Sequence, residues 1–221
     1  HLVGINFLQV TFIFLVLVLI RYPIFLNSDH FFTADEGMFA STLLEIMNDG
    51  PVRFYYDSGR TFGLTFGLAS LPFISILGPT SLAYNLPATL FYSLYLWTTY
   101  LIARILIPRT AYLVFIMLIF TPFFLTEMTT HNWPHVPAAF LGNLIFLFFI
   151  KAKSCNKKNN VIIFFLFFCM GFAIYTYTYS LIFILTVGIL YALTHPDWFK
   201  IREIISTKNL ISFFKNKKTK T

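Results

Sequence analysis

A predominantly apolar stretch, residues 161–194, constrains this chain more than any other feature of its sequence. As one helix it would measure about 51 Å, whereas the hydrocarbon core of a bilayer is about 30 Å thick. The stretch is therefore too long for one crossing and long enough for two short ones. It predicts two membrane-spanning helices, 161–176 and 180–194, with a break in the polar and aromatic segment Tyr175–Ser180.

The composition excludes several functional classes. Charged residues make up 11% of the chain, whereas a soluble domain has about a quarter. Hydrophobic residues make up 57% and aromatic residues 20%. Such a chain has too few charges to cover a globular surface, so we exclude a soluble enzyme, a nucleic-acid-binding module and a disordered tail.

Four further apolar segments predict the remaining spans: 2–26, 81–107, 110–126 and 136–150. The segment 61–78 has the length of a span but is interrupted by glycines and a proline. The distribution of charge decides whether 61–78 spans the membrane, because basic loops favour the cytoplasmic side. The basic loop 151–158 and the tail 195–221 then both lie inside, and counting the crossings backwards leaves 27–80 outside.

We therefore predict an all-α integral membrane protein of the cell inner or plasma membrane, with about six transmembrane helices. Residues 1–221 form a single transmembrane domain with both termini in the cytoplasm. The long outer loop 27–80 carries juxtamembrane amphipathic helices. Because the chain begins with His1 rather than methionine, we also expect it to be a fragment of a longer protein.

The outer loop contains most of the polar chemistry. Thr33-Ala34-Asp35-Glu36 matches a capping box, with Thr33 as the cap and Glu36 at the third helical position. The apolar residues that follow and the stop Asn48-Asp49-Gly50 predict a surface helix over 34–49. Capping and the helix dipole are one explanation of Asp35 and Glu36; a catalytic role is the other.

Two arginines of this loop, Arg53 and Arg60, oppose the trend that places basic residues inside. A lipid-linked phosphate would explain them, and so would pairing with Asp49 and Asp57. We predict a substrate and donor-phosphate site made of these groups: Arg53, Arg60, Asp57 and Tyr56.

The second outer loop reads EMTTHNWPH over 127–135. Glu127, His131 and His135 recur every four residues, which would align them on one helical face as ligands of a divalent metal. Pro134 interrupts that helix, and the neighbouring residues are typical of a turn. Substrate contacts or helix capping are the alternatives, and a divalent metal is the one cofactor that the sequence suggests.

Several short motifs occur in a particular order. They are an N-terminal span, Asp35-Glu36, Ala40, Leu44, Asn48-Asp49-Gly50, Leu77-Gly78-Pro79, Leu86-Pro87, Ala103-Arg104, Pro108-Arg109, Thr121-Pro122-Phe123 and Gly171–Tyr177. Together they resemble the GT-C superfamily of membrane glycosyltransferases. The nearest branch contains the protein mannosyltransferases and the aminoarabinose transferases that modify lipid A.

The resemblance implies transfer of a sugar from a polyprenyl-phosphate donor to a lipid, glycan or protein acceptor at the outer face. It also implies an acidic residue of the first outer loop near the acceptor. Asp35 matches that residue, and we predict Asp35 and Glu36 as catalytic. Two features depart from the family: 60–66 lacks the prolines often seen there, and the chain has fewer spans than family members.

Two other functions compete with the transferase. A lipid or sugar transporter would carry ionisable residues inside its spans, whereas Arg21 and Arg104 lie near predicted span ends. A non-catalytic membrane subunit of an envelope-assembly complex fits the short length. In every case membrane lipids are expected partners and nucleic acid is not.

Overall fold

A computed structural model of the chain describes residues 7–51, 63–120, 126–127, 129–154 and 160–194. Most of these residues are helical. In chain order the helices are α1 (Phe7–Ile20), α2 (Tyr22–Leu26), α3 (Ser28–Phe31), α4 (Ala34–Met47), α5 (Thr65–Leu68), α6 (Leu71–Leu77), α7 (Ser81–Leu106), α8 (Ala111–Ile119), α9 (His135–Ser154), α10 (Asn160–Thr176) and α11 (Leu181–Thr194), with a short 3-10 turn at Thr178–Ser180.

Helix α4 begins and ends as its sequence predicts. The Thr33 side chain accepts a hydrogen bond from the Glu36 amide at 3.3 Å, and Oε2 of Glu36 accepts one from the Thr33 amide at 2.7 Å. The capping box is therefore present. At the other end, Asp49 adopts a left-handed conformation with φ 61°, and the Gly50 amide donates to the Glu45 carbonyl at 2.8 Å. That bond is typical of a Schellman motif, which stops the helix.

Helix α7 is the centre of the bundle, and α1, α6, α8 and α9 all pack against it. Its apolar contacts with α1 are made by Leu96, Trp97 and Leu101 on one side and by Ile13 and Leu17 on the other. These side chains are buried, so apolar packing holds the first helix against the core.

A row of buried polar side chains also runs along α7: Asn85, Thr89, Ser93 and Thr98. Ser93 and Thr98 donate their hydroxyl protons to carbonyls of the same helix, at 2.7 and 2.8 Å. Asn143 of α9 donates to Thr99 at 2.7 Å and so joins the two helices. Helix α7 is long, with 26 residues. The buried polar row makes it less apolar than its length suggests.

The expectation of about six transmembrane helices is wrong. Among the described residues, one helix, His135–Lys153, is long and apolar enough to cross a membrane. A buried core helix of a soluble protein can meet the same criterion. The helix His135–Lys153 contains the predicted span 136–150. The described residues of the other predicted spans form no helix that meets the criterion. These spans are 2–26, 81–107, 110–126, 161–176 and 180–194.

The physical reason is that helix breaks fall inside the apolar runs. Helix α1 stops before Arg21, and its described part has 14 residues, which gives about 21 Å at 1.5 Å per residue. Helix α8 has nine residues and the described part of α10 has 17, so both described helices are shorter than the roughly 20 residues that a crossing needs. Helix α7 has 26 residues, but its buried polar row lowers its apolarity.

Residues 61–78 lie partly outside the described ranges. From Gly63 onward they form the two short helices α5 and α6 rather than one long helix. The Gly63 amide donates to the Tyr175 carbonyl at 2.9 Å, and a Cβ at Gly63 would lie 2.5 Å from that oxygen. Glycine is therefore required here, because the chain approaches the end of α10 too closely for a side chain.

The chain divides into two compact units, 1–183 and 184–221. The bundle described above belongs to the first. Within it, Gly142 of α9 faces the ring of Phe183, whose atoms would lie 2.7 Å from an added Cβ. Of the second unit, the structure describes the part of α11 that ends at Thr194.

Candidate functional site

The clearest polar site joins α4 to the segment before α9. Nδ1 of His131 lies 2.8 Å from Oε1 of Glu36, although the two residues are 95 positions apart in the chain. The Glu36 side chain has no exposed surface, and that of His131 is 10% exposed. Because Oε2 of Glu36 accepts from both the amide and the hydroxyl of Thr33, both carboxylate oxygens are engaged.

The electrostatics of this pair favour a charged histidine. The hydrogen bond to Glu36 raises the pKa of His131, burial opposes that shift, and the charges of Glu36 and Glu127 add to it. A buried carboxylate is costly unless it is paired and hydrogen-bonded. Glu36 is hydrogen-bonded on both oxygens, so the pair ties two distant segments together, and the tie is ionic when His131 is protonated.

Asn132 fixes the position of its neighbour His131. Its side chain is fully buried, and its Nδ2 lies 3.0 Å from the Phe66 carbonyl and 2.9 Å from the Tyr84 carbonyl. Carbonyl oxygens only accept, so the amide nitrogen must face them. The Asn132 backbone amide also donates to Oδ1 of Asn85 at 2.9 Å. These bonds anchor the second loop to α5 and α7.

Arg21 makes a second anchor for the same loop. Its guanidinium donates to Oγ1 of Thr129 at 2.6 Å and to the Thr129 carbonyl at 3.0 Å. The guanidinium carbon lies 4.7 Å from the ring centroid of Tyr92, which is a cation–π contact. Burial lowers the pKa of Arg21 to about 10, with the Tyr92 interaction opposing that shift. The group therefore stays protonated at neutral pH.

Asp35 differs from its neighbour Glu36 in accessibility. It is half-buried, and successive residues of an α-helix are rotated by about 100°. Its carboxylate therefore leaves α4 in another direction from the Glu36–His131 pair. Of the two acidic residues, Asp35 keeps part of its surface exposed, whereas the Glu36 side chain has none.

The structure does not bring the predicted metal ligands together. His131 faces Glu36, while Nε2 of His135 lies 3.2 Å from the hydroxyl of Tyr177. No group of three histidine, cysteine or acidic side chains in the described part of the chain could hold a metal ion. The reason is that the segment is not one helix: 129–134 forms turns, and α9 begins at His135.

The predicted phosphate-binding residues Arg53, Tyr56, Asp57 and Arg60 lie outside the described residues. Sequence reasoning did not single out Asn132 or assign a role to Arg21. The sequence contains a weak signal that each of these two residues is special. Arg21 interrupts an apolar run two residues before Pro23, and Asn132 lies between an apolar span and Pro134 in a loop rich in polar residues.

Comparison of this chain with family models, with curated proteins and with solved structures gives no match. The site must therefore be interpreted from its own chemistry. It consists of an accessible carboxylate at the start of α4 and, beside it, a buried carboxylate that is tied to the second loop.

Proposed function

We propose that this protein is a membrane glycosyltransferase that uses a polyprenyl-phosphate sugar as its donor. The observation that supports the proposal is that Asp35 and Glu36, although adjacent in the chain, differ in burial and direction. Glu36 is buried and bonded to Thr33 and His131, whereas Asp35 is half-buried on another side of the helix. In this proposal the carboxylate of Glu36 positions the helix, and that of Asp35 takes part in the reaction.

In the proposed reaction, the acceptor hydroxyl gives its proton to the carboxylate of Asp35. The acceptor oxygen forms a bond to the anomeric carbon, and the bond from that carbon to the phosphate oxygen breaks. The polyprenyl phosphate leaves with the electron pair. A carboxylate is suited to this role because the oxocarbenium-like transition state develops positive charge while the acceptor loses its proton.

Within this proposal Glu36 is a positioning residue rather than a catalytic one. It holds the first turn of α4 to the second loop and so fixes the direction of Asp35. Arg53 and Arg60 stay predicted contacts of the donor phosphate.

A membrane location is part of the proposal, and the outer surfaces of two helices support it. Large apolar side chains with more than half of their surface exposed occur on α1 at Phe7, Leu8, Phe12, Leu15 and Leu19, and on α10 at Val161, Phe164, Phe167 and Phe168. Exposed apolar patches of this kind mark contact with lipid or with another protein. A lipid bilayer would cover these apolar surfaces, and it would also contain the polyprenyl-phosphate sugar donor.

The second candidate is a non-catalytic membrane subunit. It is favoured by the fact that Glu36, His131 and Arg21 are all bonded within the chain. Purified protein assayed with polyprenyl-phosphate sugars separates the two. A transferase releases polyprenyl phosphate in proportion to the protein added, and Asp35→Asn stops the release. A subunit releases none.

A further inference from the structure

A cavity of about 350 Å³ lies on another face of α4. Gly37, Ala40, Ser41 and Leu44 line it from this helix. At 100° per residue these four positions centre about 190° around the helix from Asp35. The cavity therefore opens on the side opposite to the proposed catalytic carboxylate.

The walls of the cavity are mostly apolar. Ile74 of α6 and Pro79 close it from the side, and the rings of Phe32 and Tyr84 meet edge to face with their centroids 5.8 Å apart. Gly78 has φ 78°, a conformation that glycine adopts without strain, and it turns the chain so that Pro79 and Thr80 reach the rim. Organic ligands bind in cavities of this size and character.

The polar groups of the cavity favour one sign of charge. Asp29 is the only charged side chain among the described residues that line it. Ser81 donates a short hydrogen bond to Oδ1 of Asp29, so Ser28, which lies 2.9 Å from Ser81, donates to Ser81 in turn. This chain of hydroxyls fixes the carboxylate at the mouth without neutralising it.

We propose that this cavity is a second binding site, which takes a small organic ammonium ion with an apolar body. The ammonium group lies at Asp29 and near the partly exposed ring of Phe32, where a carboxylate and an aromatic ring both attract a cation. The apolar body lies against Ala40, Leu44 and Ile74. The site does not depend on the glycosyltransferase proposal, because it shares no residue with Asp35, Glu36 or His131.

Fluorine NMR on the full chain in a non-ionic detergent tests this site, with para-fluorophenethylammonium as the probe and its neutral alcohol as the isostere. The unmodified protein should bind the ammonium saturably and about tenfold or more tighter than the alcohol, because charge-assisted bonds exceed neutral ones. Asp29→Asn should remove that preference. Asp49→Asn removes an exposed carboxylate elsewhere on the same segment and should change nothing.

Two variants fill the cavity instead. Ala40→Phe and the exposed Ser41→Trp should each abolish binding of both probes while the circular dichroism spectrum stays that of a folded helical protein. If only one of them folds, that one decides. Asp35→Asn should bind normally, so a failed transferase assay leaves this result intact. Equal affinity for ammonium and alcohol, an unchanged preference in Asp29→Asn, or binding retained in a folded cavity-filling variant would overturn the proposal.

Discussion

Oε1 of Glu36 and Nδ1 of His131 meet at 2.8 Å across 95 residues of chain. The contact joins the first turn of α4 to the segment that precedes α9. It explains why Glu36 is buried, and it leaves Asp35 as the accessible acid of the pair.

The stability of the protein should depend on pH through His131. Its pKa is raised in the folded protein, first by the hydrogen bond to Glu36. The stabilisation is therefore complete below the unfolded value, about 6.5, and is lost as the pH rises through the folded pKa. Melting temperatures measured across this range should fall with rising pH. His131→Gln should flatten the fall; an equal fall in that variant would contradict the assignment.

Glu36→Gln should be destabilising, although glutamine can complete a capping box. Glutamine keeps the bond to the Thr33 amide but loses the charge that holds His131. We expect a loss of about 1.5–3 kcal/mol in the free energy of unfolding, the range for hydrogen bonds to charged groups. Urea denaturation measures it. Glu45→Gln, at an exposed position of the same helix, is the matched control and should cost much less; equal losses would mean that the His131 contact contributes nothing.

The anchoring role of Asn132 can be tested in the same way. Asn132→Ala removes the side-chain donor to the buried Phe66 carbonyl, whereas the Tyr84 carbonyl keeps its bond from Oγ of Ser70 at 2.9 Å. A buried group left without a partner costs about 1–3 kcal/mol. The exposed Asn48→Ala is the control. If denaturation midpoints of the two variants coincide, the Asn132 bonds do not hold the second loop.

Local sequence predicted α4 well because its determinants are local. The cap Thr33, the third-position Glu36 and the stop at Asp49-Gly50 all lie within or beside the helix, and the observed end at Met47 is two residues from the predicted one. The Glu36–His131 tie could not be predicted in this way. No periodicity links positions 95 residues apart, and the four-residue spacing of His131 and His135 suggested a shared helical face instead.

The predicted number of membrane-spanning helices was wrong for a related reason. Hydropathy measures how apolar a segment is, but not where its helix ends. Arg21 turns inward to bond Thr129, and the apolar run of the first helix is broken there. Helix α7 has the length of a span, but its polar residues Thr98 and Thr99 bond Asn143 of α9. Both effects depend on tertiary contacts, which a window of sequence does not contain.

The direct test of the central claim is the turnover of Asp35→Asn, measured as release of polyprenyl phosphate from a polyprenyl-phosphate sugar and normalised to folded protein. The substitution keeps the shape of the side chain and removes its basicity, costing the helix about 0.3–1 kcal/mol. If Asp35 is the general base, turnover falls about a hundredfold or more while the melting temperature stays nearly unchanged. Near-normal turnover, or a loss that only follows the amount of folded protein, would contradict the account and leave Asp35 as a charge at the end of a helix.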